Sequence, residues 1–356
     1  MSGLSRPEPV SPQPDVLAID GNARYREVEE WLTRGRQVCI TDTYGTALTL
    51  YSWLKRSIQR RRPVTDYRTS RLYQELLWQL TRPLLVPVVD HRLQLKKAPD
   101  IPWLERLYPD LDTFLLPLPD ILGLNGSWQW YARGLQYDIL DHPLHPFYGV
   151  HFTPRSEHLE LFDTYLASRV KADNPLSGLV IDVGTGAGPL TFLLLKHGAE
   201  QIQATDDQPN ALRSVQDDLQ RQACPVLVEL IQTDLIAPGP PADLIVFNPP
   251  WLPGERHVPV DAGSYYPPDL FPRFFAEAAE RLAPHGRLVL LFSNFAQLAG
   301  LTSVNPIAAE VESGERFRLI RREQRPARVP QGRRTPQWLH RLRQQEQVQL
   351  WELVHR

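Results

Sequence analysis

Cysteine is almost missing from this sequence. Its 356 residues include only Cys39 and Cys224. Two is too few for a disulfide framework or a cysteine-ligated zinc site, and such scarcity is expected of a reducing compartment. Charge of a single sign is missing too. The formal net charge is −2, so no global field draws the chain to nucleic acid or to an anionic membrane, and nucleic acid is not expected among its partners. Long apolar runs are also lacking: the richest stretches, such as 288–292, fall far short of the roughly 20 residues that span a bilayer. Residues 1–14 contain Ser and Pro without the apolar segment of a signal peptide. These absences predict a cytoplasmic protein that stays out of the membrane and uses no metal. They leave its oligomeric state open.

Proline, by contrast, is plentiful, at 34 residues. Many prolines fall in connections, such as Pro238, Pro240 and Pro241 before a strand candidate, where a fixed φ stiffens the chain. Only residues 1–15 read as a disordered tail. From 16 to 140 the pattern is mostly helical. Segments 24–34, 45–57 and 69–80 repeat apolar residues at helical spacing, with Leu72, Leu76, Leu77 and Leu80 on one face. This region reads as an accessory domain that selects substrate or acts as a lid, followed by a linker hairpin and helix at 141–174. From 175 to 356 the pattern alternates. Strand candidates at 179–183, 201–205, 226–232, 243–247 and 287–292 frame helices at 189–197, 210–222 and 270–282. Short apolar strands separated by amphipathic helices predict an α/β fold with a mostly parallel sheet covered on both faces. Two last strands, 317–323 and 347–354, have no regular helix pattern between them and predict a terminal antiparallel hairpin.

The first of these strands runs into Asp182-Val183-Gly184-Thr185-Gly186-Ala187-Gly188-Pro189. Glycines here permit unusual backbone angles and close approach of a ligand, and Pro189 suits the first turn of the next helix. A dinucleotide fingerprint, G-x-G-x-x-G/A, would put its third small residue at Pro189. The observed G-x-G-x-G with an acid two residues before it points instead to S-adenosyl-L-methionine (SAM), whose amino-acid end Asp182 would meet. The expected cofactor contacts in the loop are Asp182, Gly184, Thr185, Gly186 and Gly188. Asp206 ends the next strand and suits ribose hydroxyls, with the adjacent Asp207 as its rival. Asp234, after the third strand, is placed to accept from the adenine amino group, or simply to cap a turn.

The fourth strand ends in Asn248-Pro249-Pro250-Trp251. This run resembles the N-P-P-Y/F/W signature of methyltransferases that act on planar nitrogens. An amide or aromatic NH₂ is a poor nucleophile because its lone pair is delocalised. The Asn248 side-chain oxygen and the Pro249 carbonyl would accept its two N–H groups, aim the nitrogen and stabilise developing positive charge. Asn248 would also border the cofactor, and Trp251 offers a stacking face.

The region from about 175 to 356 thus resembles class I SAM-dependent methyltransferases, whose Rossmann-like sheet ends in such a hairpin. Upstream, Phe147-Tyr148-Gly149 and Pro154-Arg155-Ser156-Glu157 resemble the linker of the glutamine methyltransferases that modify release factors and ribosomal proteins. Ser156, His158 and Trp251 depart from that pattern. The resemblance implies that Phe147, Tyr148, Pro154 and Arg155 line the mouth of the site, with Phe147 and Arg155 toward the cofactor and Tyr148 toward the reaction. The expected acceptor is a planar or amino nitrogen of a small molecule or a protein side chain. One alternative keeps the cofactor as sole substrate, cyclised to azetidine-2-carboxylate with release of methylthioadenosine. Another is a SAM- or RNA-binding module without catalysis. Further candidates are Tyr265, Tyr266 and His257 in the long stretch 252–268. The basic segment 327–347 (Arg328, Arg333, Arg334, Arg341 and Arg343) and the Arg60-Arg61-Arg62 run read as solvated surfaces or as contacts for an acidic partner.

Overall fold

The computed structural model describes residues 3–152, 155–171, 176–254, 263–329 and 335–356. The chain divides into two compact units, Leu4–Ala132 and, in essence, Arg133–Arg356.

The first unit contains β1 (Leu17–Ile19), α1 (Tyr25–Thr33), β2 (Val38–Ile40), α2 (Tyr44–Arg61), α3 (Tyr67–Thr81), β3 (Leu84–Val89), β4 (Arg92–Leu93), α4 (Trp103–Leu107), β5 (Thr113–Pro117) and α5 (Leu118–Arg133). The helices lie where the periodicity places them. Asp66 and Thr69 start α3 with a reciprocal capping box. The helical pattern does not reveal the five-stranded sheet in order β1-β2-β3-β4, with β5 pairing β3. Several of these strands are only two or three residues long, too short for alternation to register. The expectation of a disordered tail is corrected. Arg6 pairs with Asp110, the Tyr108 hydroxyl donates to Pro7 O at 2.7 Å, and the Val10 N–H donates to Leu115 O at 2.9 Å.

The second unit begins with α6 (Glu157–Lys171). Then come β6 (Leu179–Val183), α7 (Pro189–Lys196), β7 (Gln201–Asp206), α8 (Pro209–Arg221), β8 (Val228–Gln232), β9 (Ala242–Phe247), β10 (Leu252–Pro253), β11 (Tyr265–Tyr266), α9 (Leu270–Arg281), β12 (Leu282–Ser293), α10 (Phe295–Leu298), α11 (Pro306–Ser313), β13 (Phe317–Pro326), α12 (Gln337–Gln345) and β14 (Gln347–His355). Seven strands form one sheet in order β13-β14-β12-β9-β6-β7-β8. The central pairs are parallel, whereas β14 runs antiparallel to both β12 and β13. The mostly parallel sheet and the closing hairpin both match the sequence reading. The hairpin's connection does not, because it contains α12.

One face of the sheet, with Ile181, Val183, Ile245 and Phe247, buries against Phe271, Phe274 and Phe275 of α9. Each fully buried aromatic of this kind contributes about 1.5–3 kcal/mol. That packing fixes the strand register, and the register fixes the site.

Candidate active site

Val183 pairs with Thr205 on one side and Phe247 on the other, and Phe247 pairs with Leu290. The next residues along these strands are Gly184, Asp206, Asn248 and Leu291, so they form one row at the carboxyl edge of the sheet. Open α/β sheets bind ligands at this edge.

Gly188 (φ 86°) and Gly186 (φ 56°) shape the loop beyond β6. A Cβ on Gly188 would lie 2.9 Å from Val215 Cγ2, and one on Gly186 would lie 3.3 Å from His151 O. Side chains are therefore excluded by the backbone angle and by space alike. The Gly186 N–H donates to Asp206 Oδ2 and the Gln208 N–H to Asp206 Oδ1, both at 2.9 Å. Burial pushes the Asp206 carboxyl up against the opposing pull of these two N–H groups, and neighbouring Asp207 adds to the rise. Asp207 itself is exposed. Between the two rivals, Asp206 is the acid at the loop.

Asp182 is completely buried. Its Oδ2 accepts from the Thr185 hydroxyl at 2.8 Å and from the Thr191 hydroxyl at 2.6 Å. Its Oδ1 has no hydrogen-bond partner among the described residues. Burial raises the carboxyl to about 6, against the hydroxyls of Thr191 and Thr185. An unpartnered buried carboxylate oxygen is costly and fits a site completed by a cationic ligand. Thr185 is also buried. Its hydroxyl serves Asp182, so it supports the acid rather than facing a ligand.

The Asn248 side chain is half-buried. Trp251 Nε1–H donates to Asn248 Oδ1 at 3.1 Å and to Leu291 O at 3.3 Å. Indole is a donor only, so this contact fixes which amide atom is the oxygen and leaves that oxygen one further lone pair. The Arg155 guanidinium lies 5.8 Å from the centroid of the Trp251 ring. His158 meets the same ring edge-on at 5.6 Å. Burial, with Arg155 and His151 adding to it, pushes His158 down to about 3, so this imidazole stays neutral. Part of the stacking face expected of Trp251 is thus taken up internally.

Arg155 is expected at the cofactor mouth, but its guanidinium forms a two-pronged pair with Glu346, at 3.0 and 3.3 Å. Glu346 is fully buried and also accepts from the Ser293 hydroxyl at 2.7 Å and from Arg343. Burial favours its neutral form, but the bonds from Arg155 and Arg343 outweigh that and hold it below the usual carboxylate value. The basic segment is likewise not simply solvated. Arg328 pairs with Glu160 at 2.7 Å, and Arg343 with Glu346. Arg341 is exposed, while Arg333 and Arg334 lie outside the described residues, as do Pro154 and His257.

Phe147 and Tyr148 are held through their backbones by α8. The Phe147 N–H donates to Ser214 Oγ at 2.8 Å, and the Asn210 amide donates to Tyr148 O at 2.6 Å. The His145 N–H and ring nitrogen meet the Asp218 carboxylate at 2.7 and 2.9 Å. Asn210, Ser214 and Asp218 recur every fourth residue, so they line one face of the helix. That polar stripe was the available signal for where the linker docks. Two expectations move away from the row. Asp234 is exposed and pairs with Arg273 of α9. Tyr265 and Tyr266 are buried in β11, Tyr266 against Phe271 with ring centroids 5.0 Å apart, rather than lying in a loop over the site.

Residues 163–320 match the family model of the methyltransferase small domain. This part of the chain is a methyltransferase domain. With the glycine loop and its two acids, its cofactor is S-adenosyl-L-methionine, and it is built on the class I Rossmann-like sheet. Among solved structures, the chain is similar to the ribosomal protein L11 methylase of Lactobacillus delbrueckii subsp. bulgaricus (17% identity, 60% of this chain and 84% of that one, TM-score 0.39). It is also similar to magnesium protoporphyrin IX methyltransferase of Synechocystis PCC 6803 with bound SAM (18% identity, 56% and 80%, TM-score 0.38). A third is the tRNA m1G37 methyltransferase of Methanocaldococcus jannaschii (13% identity, 58% and 49%, TM-score 0.37). No curated protein matches the chain in sequence. The expectation that nucleic acid is not among the partners is corrected: the similar structures include a tRNA enzyme beside the ribosomal-protein and porphyrin enzymes. Among the described residues, no helix is long and apolar enough to cross a membrane.

Proposed function

We propose that the methyltransferase domain transfers the methyl group of SAM to a planar amino nitrogen. The observation that carries this reading is the position of Asn248-Pro249-Pro250-Trp251, next to Gly184 and Asp206 in the row at the sheet edge. SAM supplies an electrophilic methyl group when bound. Asp182 would hold its amino-acid end, the Gly184–Gly188 backbone would lie against it, and Asp206 would take its ribose hydroxyls. The second lone pair of Asn248 Oδ1 and the Pro249 carbonyl would accept the two N–H groups of the acceptor and point its nitrogen at the donor. Phe147 and Tyr148, anchored on α8, would border the same opening.

The test is product analysis. The pure protein is incubated with SAM alone, and then with panels of amides and nucleobase-containing acceptors, and the products are read by mass spectrometry. S-adenosylhomocysteine together with an acceptor gaining one methyl on nitrogen is expected. Methylthioadenosine from SAM alone would replace the proposal with internal cyclisation. Bound but unchanged SAM across every panel would point to a binding module.

The acids add a pH dependence. Asp182 titrates near 6 in the folded protein, above its ordinary value, so its ionised form is disfavoured until the pH exceeds 6. A cationic ligand binds that ionised form. Affinity for SAM should therefore rise about fivefold between pH 5 and 6 and level off above 7. Calorimetric titrations across this range would show the slope, and Asp182→Asn should remove its larger part. An affinity independent of pH from 5 to 7 would dissociate Asp182 from the ligand.

A further inference from the structure

The Arg60-Arg61-Arg62 run lies in the N-terminal unit, apart in sequence from the residues assigned to methyl transfer. Its surroundings form a cavity of about 560 Å³ between α1 and α2, lined by Arg26, Arg34, Trp53, Arg60 and Arg61 with Glu29 and Glu30. These groups come from two helices about thirty residues apart in sequence.

The charges do not cancel. Glu29 is buried, accepts from the Ser57 hydroxyl at 3.1 Å and pairs with Arg61. Glu30 lies 4.0 Å from Arg34. Among the described residues, Arg26 and Arg60 have no acidic partner within ion-pair distance, so the cavity carries two uncompensated guanidinium groups. Beside them, Trp53 is half-exposed, and the Tyr25 ring braces it at 5.9 Å and 62°. The chain that leaves α2 continues the field: from Lys55 to Arg71 it holds seven Lys or Arg and one acid, Asp66.

Two unpaired guanidiniums next to a braced indole are a minimal device for a nucleotide. Guanidinium groups take phosphates in a fork, and indole takes a base on its face, as sequence-tolerant single-strand binding requires. An acidic peptide would use the arginines but leave the indole unused. We infer that this groove of the N-terminal unit binds single-stranded RNA, with Arg26 and Arg60 on adjacent phosphates and a base stacked on Trp53. This inference does not depend on which atom is methylated.

Fluorescence anisotropy of the full-length protein with a labelled twelve-nucleotide oligouridylate tests it. Binding should weaken with salt, because counterions are released as phosphates are neutralised. The double variant R26A/R60A should bind at least about tenfold more weakly and with a log–log salt slope shallower by about 1.4, the value for two contacts on a single strand. Trp53→Ala should cost about 5- to 150-fold, and Trp53→Phe distinctly less, because it keeps an aromatic face. Thermal unfolding and SAM titration of the variants report whether they fold. No binding of the oligonucleotide at low salt would overturn the inference. So would wild-type binding by a folded R26A/R60A, or loss of binding with Arg26 and Arg60 but none with Trp53→Ala, which would mark a general anion site.

Discussion

Turnover by Asn248→Ala will fall by about 100- to 1000-fold, the effect of removing one preorganised polar group aimed at developing charge, while SAM binding weakens far less. The expectation rests on how firmly the amide is held. The Trp251 indole N–H bridges Asn248 Oδ1 and Leu291 O at 3.1 and 3.3 Å. The amide plane is therefore set before an acceptor arrives, and no reorganisation is needed in the transition state. Trp251→Phe keeps the ring but removes the bridge, and should lie between the wild type and Asn248→Ala. Single-turnover formation of S-adenosylhomocysteine, with the acceptor found in the panels above, separates chemistry from binding. If Asn248→Ala turns over at the wild-type rate, the acceptor nitrogen is held by something else.

The largest loss of stability is expected from Glu346→Ala, at about 3–5 kcal/mol, because removing one partner of a buried charge cluster leaves the others without compensation. Arg155 and Arg343 both lean on this carboxylate, and Ser293 donates to it from the end of β12. Glu346→Gln keeps acceptor and shape and should cost less. The folded-state pKa of Glu346 is depressed, so its contribution is present above its unfolded value and is lost as the pH falls through the folded one. Urea unfolding of wild type and both variants measures the cost. Repeating it at falling pH should show the wild type approaching Glu346→Ala. An alanine variant as stable as wild type would mean that the cluster does not hold the linker in place.

Much of the second unit was legible because its central strands β6 and β9 are apolar runs that end at Gly184 and at Asn248-Pro249. The cofactor loop was legible because its glycines have few alternative uses. The support around it was not. Glu346 sits in a polar stretch that gives no sign of burial, and Arg155, 191 residues earlier, meets it only after the sheet closes. Thr185 reads as a ligand contact in sequence, and only the fold shows its hydroxyl turned inward to Asp182. Asp234 illustrates the reverse. A strand-end acid suggested a cofactor contact, but Arg273, 39 residues later, claims it at the surface. In the first unit, strands of two and three residues left no periodicity, and Trp53 gave no hint in sequence that α1 would bring Arg26 beside it.

The strand order also sets a timetable. Among the described residues β13 has no neighbour in the sheet except β14, and β14 is what connects it to β12. As the chain leaves the ribosome, residues 317–326 emerge before the strand that gives them a place, and they must wait through α12 for it. During that interval β12 exposes an unpaired edge, one that invites pairing with another nascent chain. Four of the ten residues from Phe317 to Pro326 are arginines, Arg318, Arg321, Arg322 and Arg325, and their charge favours water over premature pairing for the waiting strand until β14 arrives.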